Sequence, residues 1–299
     1  PVSAAIGKAS GDLLDKLIAR FPEDSARQED DAIGVAVIGR PNVGKSSLVN
    51  KLLGEERTLV APEAGTTRDA IDSQLKYHGA ALNFIDTAGL RKKPKVKDDI
   101  EFYSRVRTER ALDRTGVALL VIDATCGMEG QDLRIAEDVW SRGCGLIVAV
   151  NKWDLLEEKD SDTAIRGQRD IAERVQFMDA VPFAYVSALT GQRVRKLLDL
   201  IVEVAEQRSR RIPTAEVNRV LEALLARNQP PQKPGKKVNI LYGSQVAVDP
   251  PTFALVSNRP DVIPESYVRY LNNGFRKAWG FAGSPIRIRL RRKRKRESA

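Results

Sequence analysis

The stretch "AIGVAVIGRPNVGKS", residues 32–46, constrains the fold of this chain more than any other feature. Its first half is a run of β-branched and small apolar residues, which is typical of a strand buried in a parallel sheet. Its second half has the spacing G-x-x-x-x-G-K-S, in which two glycines permit a tight turn and Lys and Ser open a helix. Because the N–H groups of such a loop point inward at a helix N-terminus, the stretch predicts a phosphate-binding loop.

Similar apolar runs recur as "ALNFID", "GVALLVID", "GLIVAV" and "VPFAYV", and helical stretches lie between them. We expect those helices at 45–53, about 100–112, 131–141, 164–177 and 194–207. Strand alternating with helix predicts an α/β fold, a doubly wound and mostly parallel sheet of the P-loop NTPase type. The single histidine, His78, stands beside Gly79 between strand-like runs and is expected in a hairpin turn rather than a functional site.

After about residue 208 the order changes to helix, Pro-rich loop, two strands, helix and strand, which predicts a separate small α/β domain. The polar, acidic segment "PEDSARQEDD" reads as a linker. The expected domains are therefore a segment at 1–21, a linker at 22–31, a phosphate-binding domain at 32–208, the small domain at 209–291 and a basic tail at 292–299.

Three further motifs follow predicted strands, where an open α/β sheet binds its ligands. "DTAG" supplies Asp86 for water-mediated contact with Mg²⁺ and Gly89 for the γ-phosphate. "NKWD" places the Asp154 carboxylate to accept from guanine N1–H and N2–H, with Lys152 along the ring face and Asn151 tying this loop to the phosphate loop. In "VSAL" the N–H of Ala188 can donate to guanine O6. The expected ligand is therefore GTP or GDP.

The phosphate loop and these motifs give a full set of expected site residues. Lys45 should reach the β- and γ-phosphates, and Ser46 should bind Mg²⁺. In "EAGTTRDAI" Thr66 or, preferably, Thr67 should bind Mg²⁺ and the γ-phosphate only in the GTP state, with "GLRKKPKVKDD" as the second switch segment. We assign to the nucleotide Gly39, Arg40, Pro41, Asn42, Val43, Gly44, Lys45, Ser46, Ser47, Asp86, Thr87, Ala88, Gly89, Leu90, Asn151, Lys152, Trp153, Asp154, Ser187, Ala188 and Leu189.

Charge is distributed unevenly along the chain. From Arg208 to the end there are 20 Lys and Arg against 6 Asp and Glu, whereas the rest has 29 against 34. This predicts contact with a polyanion, nucleic acid first, although a well-solvated surface is the alternative. Cys126 and Cys144 are expected to be reduced thiols in a cytoplasmic protein. No apolar run approaches the roughly 20 residues that span a bilayer, so no membrane association is expected.

The motifs "GRPNVGKSSLVN", "GTTRD", "DTAGL", "NKWD" and "VSA" resemble the Era-like branch of the translation-factor GTPases. The segments "EFYSRVRTERAL", "PTAEVNRVLEALLARNQPP" and "PPTFALVSNRPDVIPESYVRYLNNGFRKAWGFAGSPIRIRLR" resemble more narrowly the Der (EngA) family, which has two G domains followed by a KH-like domain. The resemblance covers residues 1–291. It implies a GTPase of large (50S) ribosomal subunit assembly, with ribosomal RNA as partner. We expect the chain to be a monomer.

Position 90 is Leu, where Ras-like enzymes have a Gln that orients water, so catalysis must come from elsewhere. The resemblance implies that Asn42 helps to hold K⁺ in the place of an arginine finger. Asn42 could instead satisfy loop backbone groups, and Arg68 or Arg91 could act as an internal finger. The residues expected to act in hydrolysis are Lys45, Asn42, Thr67 and Gly89.

The C-terminal domain lacks the G-x-x-G by which ordinary KH domains clamp RNA. This favours contact through basic side chains on RNA phosphates, or packing on the G domain. The candidates are Lys236, Lys237, Arg259, Arg287 and Arg289. The aromatic residues Tyr242, Phe253 and Tyr270 are expected in the core rather than stacked on bases.

The segments 2–15 and 186–199 share seven identities in fourteen positions. Since the second copy is the expected guanine loop and final G-domain helix, the first is predicted to be the end of an earlier G domain, this chain's own partner.

Two alternative functions remain: an RNA-binding structural module with a nearly inactive G domain, and a GTPase of tRNA modification. The KH-like C-terminal domain argues against the latter, because such enzymes usually embed the G domain in helices and end with a catalytic cysteine, whereas no Cys follows Cys144 here. "NKWD" argues against a metabolic kinase.

Overall fold

The computed structural model describes residues 32–55, 72–87, 112, 114–156, 171, 175–231 and 237–293. The described residues from Ile33 onward belong to one compact unit. Several predictions fall outside the described residues, namely those for 1–31, for the helix at 100–112 apart from Leu112, for most of 164–177, and for the tail after 293.

A six-stranded sheet forms the centre of the first domain, with strand order β2-β3-β1-β4-β5-β6. Among the strand pairs of the described residues in this sheet, only β2–β3 is antiparallel, so the predicted mostly parallel α/β fold is confirmed. Every residue of β4 and β5 is buried, as expected for central strands covered on both faces. The strands are β1 (Ile33–Ile38), β2 (Ser73–Tyr77), β3 (Ala80–Ile85), β4 (Val117–Asp123), β5 (Gly145–Asn151) and β6 (Phe183–Tyr185).

Three described helices cover the sheet, and each agrees with a predicted helix to within two residues. They are α1 (Lys45–Glu55), α2 (Gly130–Arg142) and α3 (Val194–Ser209). Residues of α1 and α3 join one apolar cluster and residues of α2 join a second one on the other face. The end of the predicted helix at 164–177 differs, because Gln176–Ala180 is a 3₁₀ helix.

The turn between β2 and β3 is formed by His78 and Gly79, as predicted. Their φ angles are 46° and 85°, and Tyr77 pairs directly with Ala80. Left-handed backbone at both central residues is the geometry of a two-residue hairpin turn that matches strand twist. The structure therefore gives His78 a turn-forming role.

The second domain has the predicted order α-β-β-α-β. It consists of α4 (Thr214–Arg227), β7 (Ile240–Ala247), β8 (Thr252–Ser257), α5 (Glu265–Trp279) and β9 (Arg287–Arg292). The sheet order is β7-β8-β9, antiparallel then parallel. Phe253 and Leu255 of β8 are fully buried against residues of α4 and α5. Because α4 and α5 pack on this face, we call the opposite face of the sheet its outer face.

The expectation that three aromatic residues lie in the core holds for two of them. Phe253 is fully buried, and Tyr270 packs on the same core while its hydroxyl donates to Leu224 O at 2.9 Å. For Tyr242 it is wrong, because 52% of that residue is exposed. A β-bulge between Ile240 and Tyr242 moves the latter to the outer face, where it pairs with Val256.

The two domains are joined by hydrogen bonds as well as by the chain. Leu146 N–H donates to Gly283 O at 2.8 Å, and Gly283 N–H donates to Ala180 O at 2.6 Å. Buried Arg208 donates to Gly143 O at 2.6 Å and forms an ion pair with Asp249. These contacts fix the second domain against the ends of α2 and β5.

Arg287 belongs to the same interface. Its guanidinium donates to Ser141 O at 3.1 Å and to Arg142 O at 2.7 Å. Of the two roles expected for the basic residues, phosphate contact and packing on the G domain, the structure gives Arg287 the second. Lys237 and Arg289 are exposed and Arg259 is half-buried, while Lys236 lies outside the described residues.

Candidate nucleotide-binding site

At two positions, the loop between β1 and α1 has a backbone conformation that only glycine tolerates. Gly39 and Gly44 have φ of 142° and 95°, where side chains are strained. A Cβ at Gly39 would lie 2.3 Å from Val121 O, and one at Gly44 would lie 2.3 Å from Asn151 Nδ2. The first glycine therefore seats the loop on β4, and the second lets the loop touch the Asn of "NKWD".

Lys45 folds back over this loop. Its Nζ donates to Gly39 O at 2.8 Å and to Arg40 O at 2.6 Å. Burial lowers the pKa of Lys45, and the negative charge of Asp132 partly offsets that effect. The ammonium is thus held at the mouth of the loop, where a phosphate chain would meet it.

Arg40, which we assigned to the nucleotide, turns its side chain away from the loop interior. Its Nη1 lies 2.6 Å from Glu129 Oε2 and its Nε 3.0 Å from Asp132 Oδ2. Asp132 is fully buried, and with Glu129 it forms the capping box of α2. Arg40 can therefore contact the nucleotide through its backbone, while its side chain anchors the phosphate loop to the start of α2.

Asn151 joins three loops at the other end of the site. It is 2% exposed; its Nδ2 donates to Val43 O at 2.8 Å, and its Oδ1 accepts from Ala188 N–H at 2.9 Å. The expected tie between "NKWD" and the phosphate loop is present. The N–H of Ala188, expected to meet guanine O6, donates to Asn151 in this structure, so the base would have to share that donor or take it over.

Lys152 is held by a carboxylate that the sequence analysis did not single out. Its Nζ lies 2.5 Å from Asp123 Oδ2, and Thr125 donates to the other carboxylate oxygen from its N–H and its hydroxyl. Burial tends to raise the pKa of Asp123, but the hydrogen bonds from Lys152 and Thr125 bring that pKa below its ordinary value. Asp123 thus stays ionised and fixes the lysine that should lie along the base.

The remaining residues of "NKWD" face in different directions. Asp154 is half-buried in the 3₁₀ helix Trp153–Leu155 beside Lys152. Trp153 is 7% exposed and its ring lies 4.6 Å from that of Tyr185. The Trp153 side chain therefore belongs to the core, whereas Asp154 remains available to a base.

The expected Mg²⁺ residues lie at the same edge of the sheet. Ser46 is exposed at the start of α1, and Asp86 follows β3, the neighbour of β1. The Thr87 hydroxyl is 2.9 Å from the Ser73 hydroxyl and is buried, so its side chain is turned toward β2. Serine hydroxyl and aspartate carboxylate are oxygen donors of the kind Mg²⁺ prefers. Thr67, Ala88, Gly89 and Leu90 lie outside the described residues.

The assigned loop residues that remain are placed as follows. Ser187 is fully buried, and its Oγ accepts from Thr190 N–H at 3.1 Å, which shapes the loop that presents Ala188. Leu189 is 82% exposed beside it. Pro41, Asn42 and Ser47 are exposed, whereas Val43 is buried in the core below the loop.

Sequence reasoning missed three carboxylates around this site, Asp123, Glu129 and Asp132. Asp123 could have been found, because it ends an apolar strand as Asn151 does, and Asp86 directly follows another. The role of Glu129 and Asp132 toward Arg40 had no such signal, since 92 residues separate Arg40 from Asp132.

These features define a class of protein: a P-loop domain with a guanine-type base loop, joined to a basic αββαβ domain. Residues 34–152 match the family model described as 50S ribosome-binding GTPase. Residues 211–291 match the model described as KH-domain-like of EngA bacterial GTPase enzymes, C-terminal. The chain belongs to the GTPase Der family, as its sequence relatives show.

Two curated relatives illustrate this membership. The chain is 55% identical over 293 residues to GTPase Der of Gemmatimonas aurantiaca and 46% identical over 294 residues to GTPase Der of Halothermothrix orenii. Each alignment covers 98% of this chain and 67% of the relative, so the chain spans about two thirds of their length. GTP hydrolysis is therefore the activity of the family, and the predicted family resemblance is confirmed.

Among solved structures, the chain resembles Era in complex with MgGDPNP and nucleotides 1506–1542 of 16S ribosomal RNA. That match has 21% identity and a TM-score of 0.45, and it covers 88% of this chain and 93% of that one. Within the described residues, no helix is both long and apolar enough to cross a membrane.

Proposed function

We propose that this chain is a cytoplasmic assembly factor of the large ribosomal subunit that binds and hydrolyses GTP, and whose nucleotide state controls its binding to ribosomal RNA. The observation that carries the proposal is the pair of hydrogen bonds by which the Asn151 side chain connects three loops. These bonds make the base loop and the phosphate loop one site. The family description, 50S ribosome-binding GTPase, supports the partner. The basic second domain supports contact with RNA.

In this proposal different residues of the chain bind the phosphates, the base and the metal ion. Lys45 and the loop N–H groups bind the phosphates, Lys152 and Asp154 bind the base, and Asp123 orients Lys152. Mg²⁺ would be held by Ser46, by Thr67 and, through water, by Asp86, and it would neutralise charge on the β- and γ-phosphates. Thr67 and Gly89 would respond to the γ-phosphate, which makes their segments the two-state element.

Asn42 supports the proposal of K⁺ dependence. It lies in the phosphate loop, is exposed, and has a φ of 63°. Among the described residues its side chain makes no hydrogen bond, so the alternative, that it satisfies loop backbone groups, has no support there. A K⁺ ion held beside it would offset charge that develops on the phosphates during hydrolysis.

Single-turnover hydrolysis should accordingly be faster in KCl than in NaCl at equal ionic strength, by about tenfold or more. The matched variant is Asn42→Gly, which keeps the left-handed backbone and removes only the side chain. It should abolish the difference between the salts while leaving GTP bound. Equal rates for the unchanged protein would contradict the K⁺ proposal. Negligible turnover in both salts would favour the alternative of an RNA-binding module with a nearly inactive G domain, which Leu90 suggests.

Co-sedimentation with purified large ribosomal subunits tests the control by nucleotide. The chain should sediment with the subunits when a non-hydrolysable GTP analogue is present and should remain mostly in the supernatant with GDP. Small subunits serve as the control particle. Equal sedimentation in both nucleotide states would remove the switch from the proposal.

A further inference from the structure

The outer face of the second domain's sheet has a regular arrangement across its three strands. Strand pairing places Tyr242, Val256 and Arg291 in one row and Ser244, Ala254 and Arg289 in the next. Each row therefore runs from an uncharged residue on β7, over a small apolar residue on β8, to an arginine on β9. We call Tyr242, Val256, Arg289 and Arg291 the outer sheet face.

Arg289 and Arg291 are both exposed. Within the part of the chain that the structure describes, neither has an ion-pair or hydrogen-bond partner for its side chain. Residues 237–293 hold ten Lys and Arg against three Asp and Glu. Of these acids, Asp249 pairs with Arg208 and Asp261 with Arg292, while Glu265 begins α5. The two arginines thus present uncompensated positive charge.

Tyr242 is the aromatic member of this face. It is 52% exposed, and its ring contacts no other ring among the described residues. The bulge residue next to it, Leu241, is 44% exposed, and Val246, at a second bulge between Gln245 and Ala247 of the same strand, is 40% exposed. An exposed tyrosine on an apolar edge offers a flat surface on which a base can stack.

The geometry suits one strand of nucleic acid. Arg289 and Arg291 are two residues apart on β9, roughly 6.6 Å along the strand, and Tyr242 lies two strand spacings away, roughly 10 Å. Guanidinium groups bind phosphate oxygens in bidentate fashion, so two in line suit successive phosphates of one backbone. Tyr242 would then meet a base that projects from that backbone across Val256.

We propose that the outer sheet face binds single-stranded RNA, with a base stacked on Tyr242 and phosphates on Arg289 and Arg291. The inference rests on the proposed function in taking RNA as the partner. It differs from the ordinary KH mode, because the face lies on the strands and not beside a G-x-x-G loop. Arg287, the next arginine along β9, is excluded because it binds the carbonyls of Ser141 and Arg142.

The test measures anisotropy of a short fluorescein-labelled single-stranded RNA of mixed sequence, titrated with the full chain. Tyr242→Leu should weaken binding by about 5- to 150-fold, and Tyr242→Phe should bind like the unchanged protein, because stacking needs only the ring. Arg289→Gln and Arg291→Gln should each weaken binding about tenfold. Each should also lower the slope of log K against log salt by about 0.7.

Arg292→Gln is the matched control. It removes the same charge from the same strand, but Arg292 points to the opposite face, where it is 2.8 Å from Asp261. It should leave binding within about twofold of the unchanged protein. Equal losses for Arg291→Gln and Arg292→Gln, or no loss for Tyr242→Leu, would overturn the proposal in favour of diffuse attraction. No binding of the RNA by the unchanged protein would also overturn it.

The large-subunit sedimentation assay separates this inference from the proposed function. If the Tyr242 and Arg291 variants lose the short RNA but sedimentation does not depend on nucleotide, the outer sheet face stands and the switch fails. If sedimentation depends on nucleotide and these variants sediment normally and bind the short RNA normally, the face fails and the switch stands. Variants that lose the subunit but bind the RNA normally would identify a protein as the occupant and would overturn the RNA assignment.

Discussion

Replacing Asp154 by Asn should lower the affinity for GTP by about 10²- to 10⁴-fold and create a preference for xanthosine triphosphate. The carboxylate can accept from both N1–H and N2–H of guanine, whereas the amide has one acceptor and presents a donor to the second N–H. Hydrogen bonds to charged groups contribute about 1.5–3 kcal/mol each, and two of them give that range. Xanthine has a carbonyl oxygen in place of the N2 amine, so it matches the amide.

The measurement is a competition titration of GTP, xanthosine triphosphate and ATP against a fluorescent guanine nucleotide analogue, with the xanthine analogue for the variant. Asp179→Asn supplies the control, because Asp179 is an exposed aspartate in the 3₁₀ helix Gln176–Ala180. That control should keep the guanine preference. If the Asp154 variant also keeps it, Asp154 does not recognise the base, and the assignment of "NKWD" to guanine is wrong.

Replacing Phe253 by Ala should destabilise the second domain by about 3–5 kcal/mol. Phe253 is fully buried, and its ring centroid lies 5.0 Å from that of Phe275 and 5.3 Å from that of Trp279. The change would remove these aromatic contacts and leave a cavity that the surrounding sheet and helices cannot fill. Native-state hydrogen exchange of the β8 amides, read by mass spectrometry, isolates the effect on this domain.

Tyr242→Ala is the matched control on the neighbouring strand. Since Tyr242 is half-exposed, its removal should change the same exchange free energy by no more than about 0.5 kcal/mol. That result would also show that the Tyr242 variants used in the RNA titration are folded. If Tyr242→Ala lowers this exchange free energy as much as Phe253→Ala does, Tyr242 belongs to the core, as its sequence context predicts. The proposal that the outer sheet face binds RNA would then be wrong.

The sequence by itself determined the fold class and, for the described residues, the order of elements in both domains, and it predicts the position of the nucleotide site. These follow from local signals: apolar runs that only a covered strand can bury, glycines where the backbone must adopt a positive φ, and motifs that follow successive parallel strands. Because the carboxyl ends of parallel strands share one edge of a sheet, the order of motifs was enough to place Gly44, Asp86 and Asn151 at the same edge.

Only the tertiary structure decided which side chains serve the site and which serve the scaffold. Arg40 stands in the phosphate loop but binds Glu129 and Asp132, and Arg287 anchors one domain to the other, because their partners are distant in sequence. Tyr242 is exposed whereas Phe253 is buried. The reason is an extra residue in β7, just before Tyr242, which exchanges the sheet faces that the following residues occupy. Strand periodicity assumes an unbroken pairing register, and a bulge is set by contacts between strands, so sequence pattern cannot place it.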